Sequence, residues 1–440
     1  MRRRSFIKGI PLLSGSAVYG TQDAHAGVEN ISGIGANPET ITEPQQQIPV
    51  IAETDVLVVG GGPAGVAAAI SASRAGSSTI LVERYNHLGG LWTGGLVLPL
   101  LSTHAMDQSG RFKKVIYGIG DEMSQRLTKM GMAIHEVNPV IDPEAGKYIL
   151  DVMIKESGVR MLYHCWVSNV VVENGAIEAV IMDSKSGRVA IKPKVVIDCT
   201  GDGDVFNLAG ESHEVMNYNI GLVHRLGNID RIDKTKPGYI EMKVGSETPI
   251  PGVNWVNMWG ELDQNGLDLN TISDLQQKFR IMIWEQTEKI RATPGHEEVF
   301  LLDTASQLGV RATRILHGEY MLTLEDSMTY KSFDDVIGIS GAWTRVRYKG
   351  NVVPVKERPL WQVPYRSLLP KKTKNLLVAG RCFCFEKALV EDTRIIGTCL
   401  ITGHGTGAAA SVAVKSGSAV QDVDIKAVQK LLRKQKANLG

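Results

Sequence analysis

The chain contains 440 residues, of which 43% are hydrophobic and 22% are charged, and its formal net charge at pH 7 is +1. This is the composition of an ordinary globular protein with enough apolar residues for two or three domains. The near-zero charge gives no electrostatic basis for binding nucleic acid, and no apolar run is long enough to predict a membrane span.

The first 26 residues have the pattern of an export signal rather than of a folded element. Arg3 and Arg4 open an R-R-x-F-hydrophobic-Lys run, and a modest apolar stretch follows over residues 9–20. The segment Ala24-His25-Ala26 supplies the small residues of a cleavage site. This pattern resembles the twin-arginine signal, so we expect a bacterial protein that is periplasmic or secreted. A basic disordered N-terminus is the alternative.

Residues 27–52 show little periodicity and predict a linker, after which the first βαβ pattern begins. The spacing G-x-G-x-x-G occurs at Gly60, Gly62 and Gly65, directly after an apolar run that predicts a buried strand. These glycines make a tight turn, let backbone approach a pyrophosphate, and allow close helix–strand contact. The pyrophosphate then binds at the N-terminus of the predicted helix 66–75. An ordinary glycine turn is the alternative.

A second apolar strand is predicted over Thr79–Val82, and it ends at Glu83. An acidic side chain at this position suits the hydroxyl groups of a ribose. The next segment, His87–Gly95, contains too many glycines for a helix. The sequence therefore predicts a dinucleotide site followed by a second glycine-rich loop.

The following stretch alternates helical and strand-like patterns. Residues 113–131 and 149–157 predict helices. Three strand-like runs then occur, near residues 160–172, 176–183 and 188–192. Asn174-Gly175 predicts a hairpin turn. A further apolar strand, Lys194–Ile197, leads into the acidic and glycine-containing segment that begins at Asp198.

Residues 211–370 differ in character and predict a mixed α+β substrate or cap domain. They contain most of the tryptophans, namely Trp255, Trp259, Trp284, Trp343 and Trp361. A helix is predicted over residues 272–291 with Thr271 as its N-cap. Arg311 and Arg314 are three residues apart, a spacing that places both on one face of a helix.

The chain then returns to its first pattern. Asn375–Gly380 predicts a buried strand, and Gly403-His404-Gly405-Thr406 opens an alanine-rich helix. Residues 424–436 predict a basic amphipathic helix. The five cysteines contain no C-x-x-C pair, so we predict no metal site and expect Cys382 and Cys384 to be packed free thiols.

Four segments together resemble the bacterial FAD-dependent oxidoreductases built on the glutathione-reductase-like fold. These segments are residues 55–76, 83–97, 194–210 and 365–413. The resemblance covers most of residues 53–420. It implies an α/β fold with a Rossmann-like three-layer FAD-binding domain built from discontinuous segments. The implied divisions are a signal peptide at 1–26, a linker at 27–52, the FAD-binding domain at 53–210 and 371–420, the cap at 211–370, and a C-terminal helix at 421–440.

The resemblance also implies a set of FAD-binding residues that are widely separated in the sequence. They are Gly60, Gly62, Pro63, Ala64 and Gly65 at the pyrophosphate; Glu83 and Arg84 at the adenosine ribose; Gly89, Gly90, Thr93 and Gly94 along the ribityl chain and flavin; Val167 at the adenine; Thr200, Gly201 and Asp202 in a second nucleotide block; Arg381; and Gly403, His404, Gly405 and Thr406 at the flavin pyrimidine.

Two residues are candidates for a catalytic role. The family commonly has glutamine where this chain has His404, and a histidine at a helix N-terminus would be a donor that titrates near neutral pH. The alternative is a histidine that only hydrogen-bonds its own loop. Arg394 would orient an anionic group of the substrate, or else form an internal salt bridge.

Two absences restrict the predicted reaction. No second G-x-G-x-x-G follows a strand, which argues against an NADPH-driven reductase, and no redox dithiol is present. We expect hydride transfer between an unknown small molecule and flavin N5, with electrons passing to oxygen, a quinone or a small redox protein. The twin-arginine export machinery is a further expected partner. A non-catalytic flavin-binding protein is the alternative, and an NAD-binding enzyme is disfavoured by the loop at 89–95.

Overall fold

The computed structural model describes residues 39–107, 109–257 and 260–440. The predicted export signal, the first part of the predicted linker and Trp259 lie outside the described residues. The α-helices are α1 Pro63–Arg74, α2 Ile119–Lys129, α3 Pro143–Glu156, α4 Asp204–Leu208, α5 Leu269–Arg291, α6 Leu324–Met328, α7 Val390–Thr393, α8 Ile396–Ser416 and α9 Ile425–Lys434.

The strands fall into two groups along the chain. In the first half they are β1 Val50–Val59, β2 Thr79–Val82, β3 His104–Met106, β4 Phe112–Lys114, β5 Ala133–Ile134, β6 Val140–Ile141, β7 Arg160–Leu162, β8 Trp166–Glu173, β9 Ala176–Ser184 and β10 Gly187–Asp198. In the second half they are β11 His213–Val215, β12 Tyr218–Gly221, β13 His224–Gly227, β14 Ser246–Glu247, β15 Asn254–Val256, β16 Glu261–Gln264, β17 Phe300–Thr304, β18 Gly309–Val310, β19 Arg314–Leu316, β20 Val336–Ser340, β21 Val346–Tyr348, β22 Asn351–Val353, β23 Trp361–Pro364 and β24 Leu376–Val378.

The central sheet combines parallel strands from distant parts of the chain. Its parallel part has the order β7-β2-β1-β10-β24, and β9 and β8 continue from β10 as an antiparallel meander. Val56, Leu57 and Val58 of β1 are fully buried, as expected for a strand covered on both faces. Helices α1, α3 and α8 pack close to this sheet. The predicted α/β fold with a sheet built from discontinuous segments is therefore confirmed.

Several element boundaries differ from the predictions. Strand β1 begins at Val50, inside the predicted linker, and β10 joins two runs that were expected to be separate strands. The hairpin at Asn174-Gly175 is confirmed, because both residues have positive φ and connect β8 to β9. Helix α3 begins earlier than predicted because Asp142 caps it and Pro143 starts its first turn.

The region at residues 211–370 contains small antiparallel sheets and the long helix α5. This helix begins at Leu269, since Asp268 accepts hydrogen bonds from the backbone of Asn270 and Thr271. The prediction of Thr271 as the N-cap is therefore wrong. Leu275, Phe279 and Ile283 of α5 pack in a second hydrophobic core with residues of β12 and β18.

The prediction that Arg311 and Arg314 share a helix face is wrong. Arg314 begins strand β19, and Arg311 lies in the short link that joins β18 to it. The prediction that Cys382 and Cys384 are packed free thiols is confirmed, because both are buried and neither forms a disulfide.

Helices α1 and α8 approach each other closely because small residues line their contact. A Cβ atom added at Gly403 would lie 2.0 Å from the carbonyl oxygen of Ala64, and one added at Gly407 would lie 2.2 Å from that of Ala68. Both distances are far inside van der Waals contact, so only glycine fits at these two positions of α8. The close packing fixes α1 against α8 and so places the N-terminus of α1 relative to the rest of the fold.

The prediction that a helix begins at Gly403 is wrong. Helix α8 begins at Ile396, and α7 precedes it with a bend of 91°. Gly403, His404, Gly405 and Thr406 therefore lie about two turns inside the helix. Within the described ranges no single helix is long and apolar enough to cross a membrane, and only this bent pair passes that test of length and composition.

His404 faces away from the N-terminus of α8 and toward the end of α9. Its Nε2 atom lies 2.7 Å from Oε1 of Gln435, which also accepts a hydrogen bond from the hydroxyl of Ser71. The ring is buried, and this burial lowers its pKa to about 4. The neutral ring therefore donates its Nε2 hydrogen to Gln435, and the prediction of a histidine at a helix N-terminus that titrates near neutral pH is wrong.

We expect Gly403→Ala to destabilise the protein by about 1–3 kcal/mol, the usual effect of overpacking. The new methyl group would meet backbone of α1, which cannot move without separating the two helices. Gly405→Ala is the comparison in the same helix, because the nearest atoms to its methyl group belong to the side chain of Ile337, which can shift more readily than the backbone of α1. Urea unfolding of both variants tests this, and equal midpoints would contradict the proposed close packing.

We expect His404→Gln to reduce the pH dependence of stability on the acid side. The folded pKa of His404 is about 4, below the ordinary value of 6.5, so the unfolded chain takes up a proton first. The contribution of the neutral His404 ring to the free energy of unfolding is therefore fully present above pH 6.5, and it is lost as the pH falls toward 4. Wild type should lose about 2 kcal/mol more than the variant between about pH 7.5 and about pH 5.

Urea unfolding of both proteins at the two pH values provides the measurement. The pKa of His224 is also lowered to about 4 by burial, but His224 is present in both proteins and its effect cancels. Parallel pH profiles for wild type and His404→Gln would show that the ring is not held neutral.

Candidate functional site

The glycines of the first turn have different structural tasks. Gly60 has a φ of +100°, and a Cβ atom there would lie 2.5 Å from the carbonyl oxygen of Cys199 on the neighbouring strand. A Cβ atom at Gly65 would lie 1.8 Å from the carbonyl oxygen of Gly60. No protein atom lies within 4 Å of a Cβ atom placed at Gly62. The first and third glycines therefore allow the packing, and the second faces open space.

The N-terminus of α1 opens onto this space. Gly62 is its N-cap and Pro63 lies in its first turn, while no side chain caps it and its first turn holds no acidic residue. The backbone N–H groups of the first turn are therefore available to an anion, which the partial positive charge of a helix N-terminus favours. The structure thus provides a cradle suited to the predicted pyrophosphate at Gly60–Gly65.

Glu83 is held beside this cradle at the end of β2. Its Oε2 atom accepts a hydrogen bond of 2.6 Å from the backbone of Gly61, and its Oε1 atom accepts one of 2.8 Å from the backbone of Tyr85. The side chain is buried. This arrangement brings the predicted ribose-binding carboxylate to the glycine turn, although the two segments are separated by helix α1.

Arg84 packs against two aromatic rings, one of which directly precedes Val167 in the chain. Its guanidinium carbon is 5.0 Å from the ring centre of Tyr85 and 5.1 Å from that of Trp166. Trp166 is 55% exposed and directly precedes Val167, the residue expected to contact adenine through its backbone. Trp166 was not predicted from the sequence, although it stands directly before Val167.

The second nucleotide block is organised by a buried aspartate at the end of β10. Asp198 accepts hydrogen bonds from the backbone and hydroxyl of Thr200 and from the backbone of Phe206. Burial raises the pKa of Asp198. These bonds fix the turn that contains Thr200, Gly201 and Asp202 and hold it near the glycine cradle, where Cys199 contacts Gly60.

Asp202 joins three parts of the site. Its carboxylate lies 2.8 Å from Nη2 of Arg381 and 3.6 Å from Nη2 of Arg84, and it accepts a hydrogen bond from the hydroxyl of Thr313. Burial opposes its ionisation, but Arg381 and Arg84 outweigh that effect and lower the pKa of Asp202. The structure therefore brings Arg84, Asp202 and Arg381 together, although they come from three separate segments of the chain.

Arg381 also offers an unsatisfied donor. Its Nη1 atom is buried and has no hydrogen-bond partner among the described residues. A buried donor without a partner costs free energy, and an oxygen-rich ligand in the cradle would remove that cost. Together with the open space at Gly62, this donor shows that the residues present fit a dinucleotide cofactor.

The second glycine loop is fixed by the region at 211–370. The carbonyl oxygen of Gly94 accepts hydrogen bonds from the backbone and hydroxyl of Ser306, at 3.0 and 3.1 Å, and one of 3.3 Å from the backbone of Gln307. Gly89 and Gly90 both have positive φ. The loop predicted to follow the ribityl chain and flavin is thus held by the segment that leads into β18.

A polar cluster lies at the N-terminal end of α8. Glu391 of α7 forms a double ion pair with Arg394, through Nε at 3.2 Å and Nη2 at 2.5 Å. The hydroxyl of Tyr218 on β12 donates a hydrogen bond of 2.6 Å to the same carboxylate. Burial and the neighbouring Glu391 raise the pKa of Tyr218 to about 12. Arg394 therefore forms the internal salt bridge that was the alternative to substrate binding.

This cluster was missed by the sequence analysis apart from Arg394. Arg311 lies next to this cluster, because it directly follows β18, which pairs with β12, the strand of Tyr218. Tyr218 and Glu391 are 173 residues apart in the chain, so no local pattern linked them. No group of three or more histidine, cysteine, aspartate or glutamate side chains within the described ranges is arranged to hold a metal ion.

The chain is similar to curated proteins over part of its length. It is 27% identical over 161 residues to a thiamine thiazole synthase of Aeropyrum pernix, which covers 34% of this chain and 54% of that protein. It is 26% identical over 227 residues to the thiamine thiazole synthase of Methanococcus maripaludis strain C5. This match covers 50% of this chain and 72% of that protein. The chain spans about half the length of the first of these relatives.

Two solved structures are similar over most of the chain. One is a geranylgeranyl bacteriochlorophyll reductase-like protein of Thermoplasma acidophilum, with 15% identity, a TM-score of 0.44, and coverage of 87% of this chain and 83% of that chain. The other is the p-nitrophenol 4-monooxygenase of Pseudomonas putida, with 10% identity, a TM-score of 0.43, and coverage of 88% and 85%.

A family model describes nearly all of the folded part of the chain. The model for "FAD dependent oxidoreductase" matches residues 55–222 and 218–432. These ranges contain the glycine cradle, Glu83, the second nucleotide block and the cluster at the start of α8. The chain therefore belongs to the family of FAD-dependent oxidoreductases, and its cofactor is FAD.

Proposed function

We propose that this protein is an enzyme that transfers a hydride between a small organic molecule and FAD. When the organic molecule is oxidised, the electrons pass on to oxygen, a quinone or a small redox protein. When it is reduced, a quinol or a reduced redox protein supplies the electrons. The observation that carries the proposal is the polar cluster of Tyr218, Glu391 and Arg394, where the region at 211–370 meets the N-terminal end of α8. Ionisable groups with shifted pKa values gather preferentially at functional sites, and this cluster contains such groups in Tyr218 and Glu391.

The residues that hold FAD are drawn from four segments. The first turn of α1 and Gly62 receive the pyrophosphate, and Glu83 binds the adenosine ribose beside it. Arg84 and the Trp166 ring against which it packs would lie beside the adenine, and Arg381 would contribute its unpaired donor. When bound, FAD supplies the two-electron donor or acceptor of the reaction.

The N-terminus of α8 is suited to stabilising negative charge. Its N-cap is Ile395, no side chain caps it, and its first turn contains no acidic residue. A helix of this length carries a partial positive charge at its N-terminus, which favours an anionic ligand or a reduced flavin. This role, assigned to Gly403–Thr406 from the sequence, is proposed here for the residues around Ile396.

The cysteines support reaction at carbon rather than at sulfur. Burial raises the pKa of Cys199, Cys382 and Cys399, so these thiols stay protonated near neutral pH. A thiol in this state is a poor nucleophile. The proposed reaction is therefore that of a dehydrogenase acting on C–OH, C–N or C–C bonds, or of a reductase of an activated alkene.

We also propose that the protein is exported through the twin-arginine pathway. The support is the run that begins at Arg3 and Arg4 and the small residues that end at Ala26. That pathway carries folded proteins, so FAD would be bound before export. The similarity to thiamine thiazole synthase covers 34% of this chain in the first relative, and we do not extend that activity to this protein.

We expect Gly62→Ala to weaken FAD binding by about tenfold or more without unfolding the protein. The new methyl group would enter the cradle, while no protein atom lies within 4 Å of it and φ is −68°. Fluorescence titration of the apoprotein with FAD measures the affinity. Gly131→Ala is the control: its φ of +71° makes the alanine strained, yet it lies away from the cradle. Unchanged FAD affinity in Gly62→Ala would contradict the site.

An anaerobic bleaching screen tests the reaction itself. The holoenzyme is mixed with a panel of alcohols, amines and carboxylates, and the visible flavin absorbance is followed. We expect at least one compound to bleach the bound FAD, and oxygen or a quinone to restore the colour. Bleaching by none of them, together with no reoxidation of the chemically reduced protein by activated alkenes, would favour a non-catalytic flavin-binding protein.

A further inference from the structure

Arg311 lies beside the strand that carries Tyr218 of the polar cluster. It directly follows β18, whose residues Gly309 and Val310 pair with Gly221 and Ile220 of β12. The segment just before β18 is hydrogen-bonded to the carbonyl oxygen of Gly94. Arg311 therefore follows closely in the chain on the segment bonded to the second glycine loop, and it lies next to the strand of Tyr218.

The charges of the cluster do not balance. Glu391 is already engaged by Nε and Nη2 of Arg394 and by the hydroxyl of Tyr218. Within the part of the chain that the structure describes, Arg311 has no ion pair and no hydrogen-bond partner. One carboxylate therefore faces two guanidinium groups, and a positive charge remains on Arg311.

This unpaired charge is costly because Arg311 is partly buried. Burial and the adjacent Arg394 both lower its pKa, while Glu391 and Tyr218 act in the opposite direction. Other arginines in comparable surroundings are neutralised by carboxylates. They are Arg225 with Asp303 and Asp142, Arg314 with Asp204, Arg358 with Asp392, and Arg381 with Asp202.

The N-terminus of α8 adds to the positive potential around Arg311. The N-terminus of α8 begins two residues after Arg394 and carries no capping side chain. Its partial positive charge and the charge of Arg311 both favour an anion at this junction. A guanidinium offers a planar pair of donors that matches the two oxygens of a carboxylate or phosphate.

We infer that the substrate is a small organic anion, and that Arg311 binds its carboxylate or phosphate group; this rests on the proposed function. The anion supplies the negative charge that the cluster lacks, and its oxygens accept hydrogen bonds from the free N–H groups of Arg311. Arg394 and Glu391 hold each other and form the wall beside the substrate. Arg311 is thus the residue that selects anionic over neutral substrates.

Binding of small anions to the holoenzyme tests this inference without turnover. The probes are acetate, benzoate and succinate as carboxylates, glycerol phosphate and phenyl phosphate as phosphates, and benzamide as the neutral counterpart of benzoate. Binding is followed by the change in the visible spectrum of the bound FAD and by calorimetry. We expect at least one anion to bind, and the better of the two series identifies the anionic group.

The variants are Arg311→Ala and Arg311→Lys, with Arg280→Ala as the control. Arg280 is an exposed arginine of α5, so its removal changes the net charge equally. We expect Arg311→Ala to weaken anion binding about tenfold or more, and Arg311→Lys to weaken it less, while Arg280→Ala leaves it unchanged. Should Arg311→Ala not fold, Arg311→Lys must still show weaker binding.

Two results would overturn the inference. One is that none of the anions binds to the wild-type holoenzyme, and the other is that wild type and the Arg311 variants bind them equally. Failure of the proposed function has a different signature, because it appears as FAD that no compound reduces or reoxidises. If no compound reduces or reoxidises the FAD but anions still bind through Arg311, the anion site is established and the proposed reaction is rejected.

Discussion

The close approach of backbone at Gly60, Gly65 and Cys199 is the constraint on which the site depends. With φ at +100° and no side chain, Gly60 lets the end of β1 turn against the end of β10. That contact directs the N-terminus of α1 and places the second nucleotide block beside it. A cradle of free N–H groups results, and the same geometry leaves Gly62 facing open space.

Each acidic side chain around the cradle engages its own set of hydrogen-bond donors. Asp198 uses its carboxylate on the backbone of its own turn, which leaves Asp202 to gather Arg381 and Arg84. Asp204 is partly buried near both aspartates, and desolvation together with their charges raises its pKa to about 6. The site thus holds several charges at once, because each carboxylate has a defined set of donors.

The first βαβ unit was predictable because its signals are local. Gly60, Gly62 and Gly65 stand at fixed spacing, and the apolar runs on either side have clear periodicity. Glu83 was found for the same reason. The structure adds that Glu83 accepts the backbone N–H of Gly61, a contact that brings the two ends of this unit together.

The start of α8 was not predictable, because glycines inside a helix follow tertiary packing rather than local preference. Gly403 and Gly407 look like the opening of a helix, since glycine destabilises a helix interior. They lie inside it because their backbone packs against Ala64 and Ala68. Arg311 was misjudged for a similar reason, since its helical spacing to Arg314 is local but its surroundings come from β12 and α7.

The account depends on FAD occupying the cradle that these separated segments form. The most direct measurement is the FAD content of the purified protein, by release and quantification of the nucleotide after denaturation, with the apoprotein then offered excess FAD. We predict one FAD per chain, recovered when the apoprotein is reconstituted. A correctly folded chain that is colourless and takes up no FAD would contradict the account.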